Sequence, residues 1–168
     1  FLQNEHIELI RHARALAWPP GNISQPDKDA LRADAVALLS SAESLEWIIA
    51  DFLCAVAQVR SATSNTLDIA SQAAQGTSGT LSASLEALQV QTLMFMASGY
   101  TEGWEALAGA YDAVLTADIS EQAHTELQFQ RERLALFTPQ LQVHTQALLE
   151  SDVDVRAMHL QALFDEAT

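Results

Sequence analysis

The chain has 168 residues, 49% of them hydrophobic and 18% charged, which is enough apolar material to fold as one domain without disulfides and too much for a disordered chain. Its formal net charge is −14 and Lys28 is the only lysine. With no basic run, the chain repels nucleic-acid phosphates and the anionic face of a membrane, and both are excluded as direct partners.

Strand-like alternation is absent and helical spacing recurs throughout. The first helix is expected over Leu2 to Trp18, stopped by Trp18-Pro19-Pro20-Gly21, where two prolines cannot continue it. A polar connection leads to Pro26, and a second helix is expected from Asp27 to about Arg60. Leu31, Ala35, Leu38, Ala42, Leu45, Ile49, Phe52, Val56 and Val59 recur in alternating steps of four and three, the heptad that keeps one seam on a neighbouring helix. At 1.5 Å per residue that helix is about 50 Å long. Ala62 to Thr66 is small, polar and β-branched and reads as poor helix, and Asn65 with Asp68 resembles a capping box. The stronger break is Gly76-Thr77-Ser78-Gly79.

A third helix is expected from Leu81 to Ala97, with a seam of Leu81, Leu85, Leu88, Thr92 and Phe95. Its end, Leu93 to Met96, is apolar on every side, which calls for cover by core, partner or ligand. After a turn at Ser98 to Thr101, a shorter helix carries Trp104, Leu107, Tyr111 and Val114 on one face. Asp118 is expected to cap the next helix with Glu121 at its third position, followed by a seam of Ala123, Leu127, Gln130, Leu134, Phe137, Leu141, His144 and Leu148. Pro139 either kinks that helix or opens a new one. Ser151 is expected to cap a last helix with Val153, Ala157, Leu160 and Phe164 inward. The short connections favour antiparallel neighbours, so the expected fold is all-α: an elongated antiparallel bundle of four long helices plus shorter ones, a single domain over residues 1–168.

The candidate chemistry is sparse. Glu121-Gln122-Ala123-His124 is one Glu-x-x-His pair of the kind dimetal carboxylate bundles use twice, and Glu8 with His12 would be a second half-set. Against this stands an ordinary charged helix face, so no metal or other cofactor is expected. Helical pyrophosphatases hold magnesium with Glu-x-x-Glu followed by Glu-x-x-Asp; Glu5/Glu8, Glu43/Glu46 and Glu102/Glu105 fit the first half, and nothing supplies the second. Cys54 is the only cysteine and has no histidine near it in sequence to activate it. No catalytic residue is expected.

The binding candidates are five. Gln130 and His144 share an apolar seam and would floor a pocket inside the bundle, unless each is simply a satisfied core polar group. Trp47 lies on the polar line Ser40, Glu43, Asp51, Cys54 and Gln58, where it would meet solvent or a partner. Met94 and Met96 suit an adaptable contact surface or a well-filled core. The architecture resembles three groups: the four-helix ligand-binding domains of bacterial membrane receptors, secreted helical proteins of export systems, and cytoskeletal helical bundles.

The expected function is a non-enzymatic binding module, first a ligand-sensing or signalling domain of a bacterial receptor, second a structural or interaction protein, third a metal-dependent all-α enzyme. A small ligand between helices or at the seam of a homodimer, or a protein partner, would be bound. The start at Phe1 and the absence of a membrane-length apolar run (Asp51 interrupts Trp47 to Ala57) fit an excised, extracytoplasmic segment.

Overall fold

A computed structural model describes Ile7, Ile10, Arg11, Ala13, Arg14, Ala15, Ala17 and residues 24–167; the side chains at 161 and 163–167 lie outside that description. The fold is all-α, with no strand among the described residues. The helices are α1 (Gln25–Ala74), α2 (Thr80–Ala97), α3 (Trp104–Leu115), α4 (Glu121–Leu149) and α5 (Val153–Ala167). Ile7, Ile10, Arg11 and residues 13–15 are also helical. The expected stop at residues 18–21 and the inward position of Phe164 lie outside the described residues. No described helix is long and apolar enough to cross a membrane.

The residues gather into two compact units, Phe1–Ala50 with Gln146–Thr168, and Asp51–Thr145. In the first unit Leu31, Ala35 and Leu38 of α1 pack with Ala13 and with Val153 and Leu160 of α5. Arg32 Nε donates to the Ala17 carbonyl at 3.3 Å, and His159 Nδ1 lies 3.2 Å from an Asp34 carboxylate oxygen. Ser24 caps α1: its hydroxyl accepts the Asp27 N–H at 3.4 Å and donates to the Asp27 carboxylate at 2.5 Å. Pro26 falls inside the first turn, where its missing N–H has no partner to lose, so α1 starts two residues earlier than expected.

In the second unit the core joins Ala55, Val59, Ala62 and Ala70 of α1, Leu85, Leu88 and Phe95 of α2, Leu107, Tyr111 and Val114 of α3, and Leu127, Leu134 and Leu141 of α4. The expected weak point at residues 62–66 is overturned: α1 runs through it without a break, and Asn65 is an exposed mid-helix residue rather than a cap. Thr63 and Thr66 continue the heptad from Val59, both fully buried. Their hydroxyls donate to the carbonyls of Val59 at 3.1 Å and Ala62 at 2.7 Å, which satisfies them inside the core. The break falls at the glycines, with Gly76 at φ 81° and Gly79 at φ 72°.

α2 ends in a Schellman turn. The Tyr100 N–H reaches the Phe95 carbonyl at 3.0 Å and the Gly99 N–H reaches Met96 at 3.1 Å, with Gly99 left-handed at φ 69°. Tyr100 is itself left-handed at φ 66°, a strained setting offset by its edge-on contact with Phe95 at 5.7 Å. α3 and α4 run antiparallel: Arg131 meets Asp112 at 2.9 Å, while Gln142, further along α4, donates to Thr101, which precedes α3, at 3.2 Å.

Two caps are corrected. Ile119 packs against the core, so Ser120 rather than Asp118 caps α4, accepting the Ala123 N–H at 3.2 Å. At α5 the residue before the first turn is Asp152, not Ser151, and its carbonyl takes the Arg156 N–H at 2.9 Å. Pro139 lies inside one continuous helix. Both Pro139 and Ala135, whose carbonyl loses its donor there, are exposed, so that carbonyl lies on the solvent side of the helix rather than in the core.

Leu88 is fully buried and Leu136 is 57% exposed. Leu88→Ala should cost about 2–5 kcal/mol and Leu136→Ala within about 0.5 kcal/mol, read from urea unfolding midpoints; equal effects would show that the inner seams are misassigned.

Candidate functional site

The polar groups of the second unit are largely engaged with one another. The Tyr111 hydroxyl is hydrogen-bonded to the Thr66 hydroxyl. Burial pushes Tyr111 up to about 12, against smaller lowering effects from that hydrogen bond and from the Arg131 charge. It therefore stays protonated and is no general base at neutral pH. Arg133 donates to Gln130 at 3.1 Å and to Gln58 at 2.6 Å, and its guanidinium lies over the Phe129 ring at 5.7 Å. The Nε of Arg131 and the hydroxyl of Thr138 are buried without partners. These contacts tie α1, α3 and α4 together and assemble no nucleophile with a base.

The residues singled out by sequence are scattered. Gln130 is buried and occupied by Arg133, whereas His144 is half-buried. Fourteen residues of α4 separate them, about 21 Å, so the two do not floor one pocket. Glu121 is exposed and His124 half-buried, and among the described residues no group of three metal-ligating side chains forms; Glu8 and His12 lie outside them. Cys54 is an exposed free thiol. Trp47 is 74% exposed, with Ser40, Glu43, Asp51 and Cys54 of its line also exposed. Met96 is half-buried and Met94 is 60% exposed.

Two surface features remain, of which only the second, through the run Leu93 to Met96, was singled out from sequence. The first is a cleft of about 250 Å³ in the first unit, lined by Ser40, Ser41, Ser44, Leu45 and Ile48 of α1 and by Ala147, Glu150, Ser151 and Asp152. Its two halves are distant in sequence, so no local pattern announces it. It is small beside the usual ligand pocket of roughly 300–1,000 Å³, and it has no aromatic wall. Its acids are already engaged, Glu150 by Gln146 at 2.5 Å and Asp152 by Arg156 at 2.6 Å.

The second feature is the outer side of α2. Opposite the buried Leu85, Leu88, Thr92 and Phe95 stand Ala83, Ala87, Val90, Met94 and Ala97, all exposed and again in steps of four and three. Leu93 beside them is 53% exposed and Val90 46%. This helix therefore carries two apolar seams and covers one. The signal was the all-round apolar run; its outward half finds no cover among the described residues. Phe129, Leu136 and Val143 of α4, seven residues apart, are also more than half exposed.

Comparison with protein-family models, with curated proteins and with solved structures finds no match to this chain.

A raised tyrosine couples folding to pH. Below about pH 10, where both states keep the proton, the Tyr111 contribution is fully present; between about 10 and 12 the unfolded chain ionises first and stability is lost. The loss should approach 2–3 kcal/mol by pH 12. Tyr111→Phe should flatten that part of the stability profile while costing about 1 kcal/mol at pH 7. An unchanged alkaline slope in the variant would remove the assignment.

Proposed function

We propose that this chain is a non-enzymatic protein-interaction module that binds through exposed helix seams. The observation that carries the reading is α2, whose outward side repeats the heptad spacing of its buried side and remains open to water. Exposed apolar residues in regular register cost solubility unless something covers them, and a contiguous patch of this kind marks a contact surface. Trp47, a large exposed aromatic, adds a second contact candidate.

The ligand-sensing reading rests on the cleft between Ser44 and Glu150. Its hydroxyls suit a small polar ligand, in the manner of a bacterial receptor domain, but its size and lack of an aromatic wall favour a protein contact as the main function.

Affinity capture with the intact chain separates the two. The wild type should retain a stoichiometric protein partner that the double variant Leu93→Ser, Met94→Ser loses, while both melt within a few degrees of each other because the sites are exposed. A melting temperature raised by one compound in a metabolite panel, abolished by Ser44→Ala, with no retained protein, would replace this reading by the ligand-sensing one.

A further inference from the structure

We infer that the outer seam of α2 docks an amphipathic helix of another protein whose apolar stripe is bordered by lysine and arginine. This rests on the interaction reading above and names the partner's chemistry. The seam of Ala83, Ala87, Val90, Met94 and Ala97 spans fourteen residues, about 21 Å of helix, and its four-three spacing is what a second helix needs to stay in contact over several turns. Three alanines keep the stripe low, so a partner helix can approach closely, while Val90 and Met94 supply the larger contacts.

The charge around the stripe selects the partner. From Ser61 to Glu121 the chain holds seven carboxylates and not one lysine, arginine or histidine. That stretch supplies the end of α1 together with all of α2 and α3. Glu86 stands exposed at the edge of the stripe itself. α2 is joined to α1 through Ser71 and Gln89 at 3.0 Å and to α3 through Phe95 and Trp104, and it shares its core with Leu127, Leu134 and Leu141 of α4. α1 carries exposed Asp68 and Arg60 and α3 exposed Glu105, while Arg131 and Arg133 of α4 are engaged by Asp112 and by Gln130 and Gln58. Of the seven carboxylates Asp112 is met by Arg131 from α4. An apolar stripe edged by Glu86, within a stretch whose only charged side chains are carboxylates, is complementary to an apolar stripe bordered by basic residues.

The same charges argue against other occupants. A second copy would bring the same acidic border, within a chain of net charge −14, onto its own likeness. An anionic bilayer would be repelled. Phe129, Leu136 and Val143 of α4 make a thinner stripe, since they recur only every seven residues with Glu132, Arg133 and Gln140 between them.

The test uses the intact chain and designed heptad peptides of matched length with a Leu/Ala stripe, one bordered by Lys and Arg and one by Glu, titrated by fluorescence anisotropy, with sedimentation velocity on the chain alone. The basic peptide should bind, weaken about tenfold or more when salt is raised, and weaken about tenfold or more against Val90→Asp, Met94→Asp; the acidic peptide should bind at least about tenfold more weakly. Leu136→Asp should bind the basic peptide as the wild type does, and circular dichroism melts should match for all three chains. Equal binding of both peptides overturns the charge assignment and leaves the interaction reading standing. A dimer of the chain that Val90→Asp, Met94→Asp dissolves makes a second copy the occupant, with the same consequence. A monomer that binds neither peptide overturns the proposal and the interaction reading together.

Discussion

Burial of two threonines in the seam of α1 is the constraint on which the second unit depends. A hydroxyl taken from water without a partner costs about 1–3 kcal/mol. Thr63 and Thr66 avoid that cost by bonding back to carbonyls of their own helix, which lets α1 carry its apolar seam through residues of poor helix propensity. Thr66 then does something an alanine there would not do: it meets the Tyr111 hydroxyl of α3. Apolar contacts tolerate sliding by a fraction of a turn, whereas a buried hydroxyl pair is satisfied at one register only. Tyr111 thus fixes where α3 sits along α1, and its burial raises its proton affinity as the direct electrostatic consequence.

Two of the three arginines of this unit lie on α4, the third being Arg60 of α1. Arg131 and Arg133 both come from α4, one paired with Asp112 and the other spanning Gln130 and Gln58. They hold helices together and are spent in doing so. What remains toward α2 and α3 is an uninterrupted acidic stretch around an apolar surface. A helix that buries one seam and leaves an equivalent one open is poorly explained by the demands of its own fold, because one seam suffices for packing. That open apolar face is the physical reason for proposing association as the function.

Several features could be read from residue order, for a common reason: each is a local property of the backbone. The helices and their spacing, the stops at Gly76 to Gly79 and at Gly99, and the inward positions of Leu85, Leu88, Leu107, Tyr111, Leu127 and Leu134 follow from periodicity and from glycine's tolerance of positive φ. Local rules misled where packing outweighed them. Thr63 and Thr66 looked like a break because propensity does not register buried hydroxyls that bond back to their own helix, or, at Thr66, a partner forty-five residues away. Asp118 looked like a cap until the burial of Ile119 moved the cap to Ser120. Gln130 and His144 share a seam in sequence, yet the rise of the helix carries them too far apart to share a site.

Residue order by itself determined that this is an all-α chain with amphipathic rods and an acidic surface, since those properties depend on spacing and composition alone. That the second apolar side of α2 stays uncovered among the described residues was decided only in the tertiary structure. Periodicity marks the seam that packs and does not say whether a second seam on the same helix is covered as well. Leu85, Leu88 and Phe95 fill the space left by Val59, Leu107 and Leu134, and the smaller Ala83, Ala87 and Val90 are left outside because bulkier side chains gain more from burial.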